Sequence, residues 1–503
     1  MSPRITCILT SLALLACGLA PHPAKADSIF NVNSTLDQID ADTSDGICAT
    51  AAGTCTLRAA IMQAIRASGF GGVTIHVPAG VYKLVRPRTA TGGELDGDLD
   101  LNAPVIGNPQ IHILGSGRDT TIIDADQIDR VLSVAAQRRA IIKDLTLRNG
   151  LAVGAGGALL NAGDLTLDRV DVRDSRATGN GGGIYNATPA TGNLSMTVVR
   201  VMSNRAEYGG GIASDGAITI DKSQISGSVA TASGGGLYAI GRWAVIRNSL
   251  LSDNAANGGG ALVVGTTTYL EHSTVRGNVA SGNGGGVVVS SHALYTRNTA
   301  ILFNAAKFGG GILVHSALTL PGWVPASADI SNSTIVGNDA SQDGGGIHVS
   351  GPVNLYNTTI AYNMSDAGAQ GSPTGAGGGG VFVICSNLAI RNTLIAKNYT
   401  ADAPVPDDCR GKIGSYGRNL FGNTSGCTIA TQTGSWGLLS AGSLGSLGQH
   451  GGPTETVPLL AGSNAIYAGT LDGGCLNELG PITRDQRDYA RVGQFMLDGG
   501  LID

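Results

Sequence analysis

Between Ala158 and Phe382 one hydrophobic register returns many times. An apolar residue follows each of nine glycine clusters, at Ala158, Ile184, Ile212, Leu237, Ala261, Val287, Ile312, Ile347 and Val381. A column that is apolar at every return is expected to face a core. By strand alternation the next column should point outward, and it holds Leu159, Tyr185, Ala213, Tyr238, Leu262, Val288, Leu313, His348 and Phe382. That strip is too apolar and aromatic for a wet surface. It predicts a contact face, with Tyr185, Tyr238, His348 and Phe382 as binding residues.

The last glycines of the clusters are Gly157, Gly183, Gly211, Gly236, Gly260, Gly286, Gly311, Gly346 and Gly380, with gaps of 26, 28, 25, 24, 26, 25, 35 and 34 residues. Within one period, Ala261 to Val264 and Tyr269 to Val275 are β-prone and nothing has helical spacing. A unit of about 25 residues with three short strands and three turns is one coil of a parallel β-helix. Two asparagine columns run beside the glycines: Asn254, Asn278, Asn304, Asn338, Asn363 and Asn398, and Asn248, Asn298, Asn332, Asn357 and Asn392 with His272 in the missing place. Asparagine accepts a left-handed backbone and its amide can bond the neighbouring coil, so both columns are expected to be structural. The two long gaps hold inserted loops, Pro321 to Pro325 and Ser365 to Gly377. Insertions in solenoids collect on binding faces, which makes Trp323 a further binding candidate.

The ends need covering, because a bare β-helix end exposes strand edges and core. In Thr56 to Ile65 the apolar Leu57, Ile61, Ala64 and Ile65 have helical spacing, which predicts a capping helix. The expected organisation is a leader over residues 1–26, a cap over 27–72, coils over 73–400, and C-terminal coils with a cap over 401–503.

Export follows from the leader. Arg4, an apolar stretch from Ile5 to Ala20, and Ala24-Lys25-Ala26 read as a secretory signal cleaved before Asp27. Leu14-Leu15-Ala16-Cys17 alternatively resembles a bacterial lipoprotein signal, with Cys17 as the lipid anchor. No later segment is long and apolar enough to span a bilayer. The chain carries 32 basic and 37 acidic residues, which argues against nucleic acid as a partner. In an oxidising compartment the remaining cysteines default to disulfides: Cys48 with Cys55, Cys409 with Cys427, and Cys385 left for Cys475.

Cys55-Thr56-Leu57-Arg58-Ala59-Ala60-Ile61 closely resembles the signature of CSLREA-domain proteins, departing from it at Thr56 and Ala59. Gly97 to Leu101 and Gly181 to Asn186 are similar to other segments of that family. Gly451 to Thr456, Leu459 to Gly469 and Asp485-Gln486-Arg487 resemble choice-of-anchor Q proteins. The resemblance spans nearly the whole exported chain. It implies a right-handed, pectate-lyase-like parallel β-helix on a secreted or envelope-associated bacterial protein, and it implies no defined activity.

Candidate chemistry is sparse. Glu94, Asp96, Asp98 and Asp100 alternate within a short segment and would repel one another on one strand face unless a cation sat there, calcium being the ion that takes such oxygens, or unless they splay in a solvated loop. Asp168, Asp171 and Asp174, with Arg169 and Arg173, are the nearest approach to a catalytic cluster. His272, His292, His315 and His348 stand at different offsets from their glycine clusters and form no column. The expected function is therefore binding, in an adhesin-like surface protein that recognises a polysaccharide or a cell-surface protein. The alternative is a polysaccharide lyase or glycoside hydrolase on the same scaffold, since fold alone does not decide.

Overall fold

The structure, a computed structural model, describes residues 28–67, 72–88, 93–102, 108–187, 192–315, 324–366, 377–384, 386–401, 405–433, 435–466, 468–469, 476–477, 480–481 and 483–490. The leader, Cys17, Trp323, Cys385 and Cys475 lie outside the described residues.

The fold is a right-handed parallel β-helix, nearly all β with a single helix among the described residues. Each central coil has three faces. The first is a short strand after the glycines, stacked in unbroken parallel register from Leu99 through Leu132, Leu159, Ile184, Ile212, Leu237, Leu262, Val287, Ile312, Ile347 and Val381 to Cys409. Two members differ from the expected column. Ala158 and Ala261 occupy the place of the third glycine, so Leu159 and Leu262 point into the core, fully buried, and Leu160 and Val263 point outward.

The second face is bent. In early coils it is one strand, as in Asp164–Arg173. Later it divides, as into Ala217–Asp221 and Gln224–Ser226. The bend is made by one left-handed residue per coil: Asp144, Arg169, Val198, Lys222, Asn248, His272, Asn298, Asn332, Asn357 and Asn392, with φ between 47° and 56°. The second asparagine column of the sequence, with His272 among it, is this hinge. The third face is a ten-stranded parallel sheet from Leu151–Ala152 to Tyr399–Thr400.

The other asparagine column does different work. Asn254, Asn278, Asn304, Asn338, Asn363 and Asn398 are buried to within about 1%, and each amide bonds the next coil. Asn304 Nδ2, for example, donates to Asn338 Oδ1 at 2.9 Å and to Val275 O at 3.0 Å. Buried amides at a turn are thereby satisfied without water.

The helix α1, Leu57–Arg66, begins where Thr56 Oγ1 accepts from Ala59 N–H. Its Leu57, Ile61, Ala64 and Ile65 join the main core with Val73, Ile75, Leu99 and Leu101. The signature-like segment is thus a set of anchors. Cys55 is joined to Cys48, Thr56 caps the helix, and buried Arg58 grips Asp37 at 2.6 and 3.2 Å and the carbonyls of Gly97 and Asp98 at 2.8 and 3.1 Å. Cys409 is likewise joined to Cys427.

From Leu444 to Tyr489 the described chain turns back along the coils as a strap. Leu444, Val457 and Ala465 bury a second apolar cluster against outward-facing Ala300, Leu302, Val336, Ala361, Leu394 and Ala396. Two of its three resembling segments meet here: Gln486 Nε2 donates to Thr454 Oγ1 at 2.9 Å, and Gln486 Oε1 accepts from Thr334 at 2.7 Å.

A candidate cationic groove

The strap explains where the open surface lies. Along the second half of the bent face one outward column reads Ser226, Ser252, Arg276, Leu302, Val336, Ala361, Ala396 in register. It changes from polar to apolar where the strap begins to cover it. Before that point the face is bare, and a groove of about 590 Å³ occupies it.

Its floor is the column Arg200, Gln224, Leu250 and Thr274, one residue from each of four successive coils. One wall is the hinge column Val198, Lys222, Asn248 and His272. Arg118 closes one end, donating to Asp171 Oδ1 at 3.3 Å and to Val198 O at 3.1 Å. Pro453 and Glu455 of the strap close the other, where Arg276 meets Glu455 at 2.5 Å and His272 lies 3.9 Å from Asp488.

Cations outnumber carboxylates in the lining, although Asp171 and Asp119 pair with its arginines from beside it. Arg118, Arg200, Lys222 and Arg276 line the groove, against Glu455 as the one carboxylate of its lining. Arg200 holds buried Asp171 through two bonds of 2.8 and 2.5 Å, and those bonds raise its pKa further. Lys222 has no carboxylate partner among the described residues.

The carboxylates singled out in the sequence are not gathered together. Asp171 belongs to Arg118 and Arg200, Asp168 to Lys143 at 3.2 Å and Arg169 at 2.9 Å, and Asp174 to Arg173 at 2.7 Å. Arg169 also bridges to Asp144 on the preceding coil. Near the cap, arginines supply the positive charge expected of calcium: Glu94 pairs with Arg66, and Asp98 with Arg130 at 2.9 Å. Asp100 bonds Ser133, and burial together with the charge of Asp98 pushes its pKa up to about 6. No three metal-ligating side chains converge among the described residues, and Asp96, the remaining member of the set, keeps a buried Oδ1 without a hydrogen-bond partner.

The outward column of the first face is largely covered. Leu313, Phe382 and His348 are 3%, 3% and 7% exposed. His348 meets Phe308 edge-on at 5.8 Å and Phe382 at a tilt at 5.3 Å. Burial, and then the charge of His315, lowers the His348 pKa to about 4. Tyr185 and Tyr238 are half-buried; Tyr185 donates to Asp215 at 2.5 Å, and Tyr238 lies 5.2 Å from Tyr208.

One groove residue was visible as a departure: His272 stands in a gap of the asparagine hinge column, whereas Lys222 precedes its first asparagine, beside Asp144, Arg169 and Val198, and carried no such signal. Arg118 and Arg200 come from separate coils and had no shared signature. The strap has no period, but the polar-to-apolar change along its column marks its start.

No family model matches the chain, and no curated protein does. Among solved structures it is similar to pectate lyase Pel9A, at 13% identity over 93% of this chain and 97% of that one, with a TM-score of 0.33. It is also similar to the A-modules of two Azotobacter vinelandii mannuronan C-5 epimerases. AlgE4 shows 16% identity over 73% of this chain and 87% of that one, with a TM-score of 0.32. AlgE6 shows 14% over 73% and 90%, with a TM-score of 0.28. These are parallel β-helix proteins, and the likeness is confined to that architecture.

Proposed function

We propose that this is an exported, adhesin-like or envelope-associated β-helix that binds an acidic polysaccharide along the cationic groove. One observation carries the reading: a chain of net charge −5 places Arg118, Arg200, Lys222 and Arg276 in a single groove whose lining has one carboxylate. A groove whose lining carries a surplus of one sign of charge concentrates ligands of the other. Its floor crosses four coils, about 14 Å at ~4.8 Å per strand, so a polymer would lie along the helix axis. The two disulfides support an oxidising compartment, and the likeness of Cys55 to Ile61 to the CSLREA signature supports an envelope setting.

A lyase is the second reading, favoured by unpaired Lys222 one coil from Arg200: β-elimination needs a base beside a neutralised carboxylate. A retaining or inverting hydrolase needs two carboxyl groups, and the groove lining offers Glu455, already bound to Arg276.

Titration of the purified chain with polygalacturonate, alginate and a neutral β-glucan tests this, with unsaturated product and reducing ends followed together. Salt-sensitive binding of the acidic polymers without product is expected. Unsaturated product would replace the binding reading with the lyase, and failure to bind either acidic polymer would remove both.

A further inference from the structure

Where the strap begins, at Ser446 and Leu447, it walls a second cavity of about 440 Å³, lined also by Phe303, Asp339, Tyr362, Met364 and Tyr399. Three features set it apart. Phe303 and Tyr362 are left-handed, at φ 53° and 56°, in a turn column that elsewhere holds glycine (Gly227, Gly277, Gly337) or polar residues (Asn149, Asp174, Ser203, Asp253, Lys397), so they are its two aromatic members. Bulky residues are strained in that conformation, and such strain collects at functional sites. Tyr362 has a structural reason to be there, since its hydroxyl donates to Gly445 O of the strap at 3.0 Å. Phe303 has none of that kind and remains 45% exposed.

Its ring lies over the next coil's turn, where a Cβ on Gly337 would come within 2.5 Å of the ring. The glycine therefore makes room for an aromatic platform. Beside it, the half-buried Asp339 carboxylate has no hydrogen-bond or ion-pair partner among the described residues.

We infer that this cavity is a second carbohydrate site, one that takes an uncharged pyranose ring. The aromatic faces suit the apolar C–H face of a sugar, and Asp339 can accept hydrogen bonds from its hydroxyls. A uronate would be repelled by Asp339. A cationic ligand would meet the Arg276 guanidinium, which already lies 4.9 Å over the Phe303 ring. The site adjoins the groove through Arg276, which lines the groove and lies over Phe303, but it selects an uncharged sugar, so it stands whether or not the groove binds acidic polymers.

The test is calorimetric titration of the full chain with β-1,4-linked gluco-, manno- and galacto-hexaoses, an oligogalacturonate of equal length, and a chitosan hexamer. At least one neutral hexaose should bind. Phe303→Ala and, independently, Tyr399→Ala should weaken it tenfold or more with an unchanged melting temperature, while Lys222→Glu leaves it unaltered. Binding of none of the neutral hexaoses, binding confined to the charged ones, or equal affinity in Phe303→Ala and the parent would overturn the assignment.

Discussion

Asn398 donates both its main-chain N–H and its side-chain amide to one oxygen, Asp408 Oδ1, at 2.8 Å each. Behind it the same double donation passes from Asn254 to Asn278, Asn304, Asn338, Asn363 and Asn398. Every amide in the ladder therefore points the same way. The donor end of this row of dipoles meets a buried carboxylate, whose oxygen accepts from both donors.

Asn304→Ala breaks this row in the middle. It strands the Asn278 main-chain N–H, whose acceptor is Asn304 Oδ1, takes one acceptor from the Asn278 amide, which keeps Leu251 O and Arg276 O, and leaves Val275 O without its amide donor. Unsatisfied buried groups cost about 1–3 kcal/mol each, so a loss of about 3 kcal/mol or more is expected in denaturant unfolding. The hinge column should behave oppositely: Asn248 has φ 49°, so Asn248→Gly should cost little and Asn248→Val about 1–2 kcal/mol. Equal losses at Asn248→Gly and Asn304→Ala would refute this division of roles.

Asp408 makes stability depend on pH. Burial raises its pKa from 3.8 to about 6, against the lowering effect of the Asn398 bonds, and its Oδ2 has no partner. The folded state thus holds a proton between about pH 4 and 6 that the unfolded chain has released, and stability falls as pH rises through that window. Asp408→Asn keeps the acceptor for Asn398 and removes the ionisation. It should flatten this part of the profile and add about 2–3 kcal/mol at neutral pH. Asp100 titrates with the same sign, so the quantity to measure is the difference between the parent and Asp408→Asn from pH 4 to 7.

His348 contributes the reverse slope. Its pKa is lowered from 6.5 to about 4, so the unfolded state takes up a proton first as pH falls from 6.5 toward 4, and stability drops across that range. His348→Phe, between Phe308 and Phe382, should remove the drop. An unchanged acid limb in thermal melts would contradict the buried, neutral ring.

Much of the scaffold was legible because the later coils solve the same problem with the same residue types: small residues at the glycine turn, mostly asparagine at the hinge, an asparagine for the neighbouring coil. The errors came where one residue type could stand for another. Ala158 and Ala261 serve as turn residues although they read as core, which displaced Leu159 and Leu262 by one position. Function was less legible because it depends on residues far apart in sequence. Arg118 reaches Asp171 and Val198 across intervening coils, and Arg276 meets Glu455 on the strap; no local spacing encodes either. The aromatic strip could be read, but not the burial that takes most of it out of solvent.

The cap rests on one buried ion pair. Arg58 and Asp37 have side chains 1% and 2% exposed, and Asp37 also accepts from Val85 N–H at 2.9 Å. Arg58→Met leaves Asp37 charged and without its cation, which should cost about 3–5 kcal/mol. Asp37→Asn in the Arg58→Met background should recover part of that loss. If the double variant is no better than Arg58→Met, the arginine acts through the carbonyls of Gly97 and Asp98 rather than through Asp37.

Lys222 is the groove residue whose change is easiest to interpret. It carries no ion pair to be broken and sits at the hinge with φ 48°, so Lys222→Asn, the residue of the later hinges, should leave the fold intact. Lys222→Glu places a carboxylate between Arg200 and His272 on the groove wall. For a polyanion the charge reversal should weaken binding about tenfold or more at low salt, and the gap should narrow as salt screens the groove. Lys222→Asn should fall between the parent and Lys222→Glu. If the groove is instead a lyase site with Lys222 as base, Lys222→Asn would abolish product formation while leaving affinity within severalfold. Measuring both affinity and unsaturated product for the two variants therefore separates a binding cation from a catalytic one, and an affinity unchanged in Lys222→Glu would exclude the groove as the polysaccharide site.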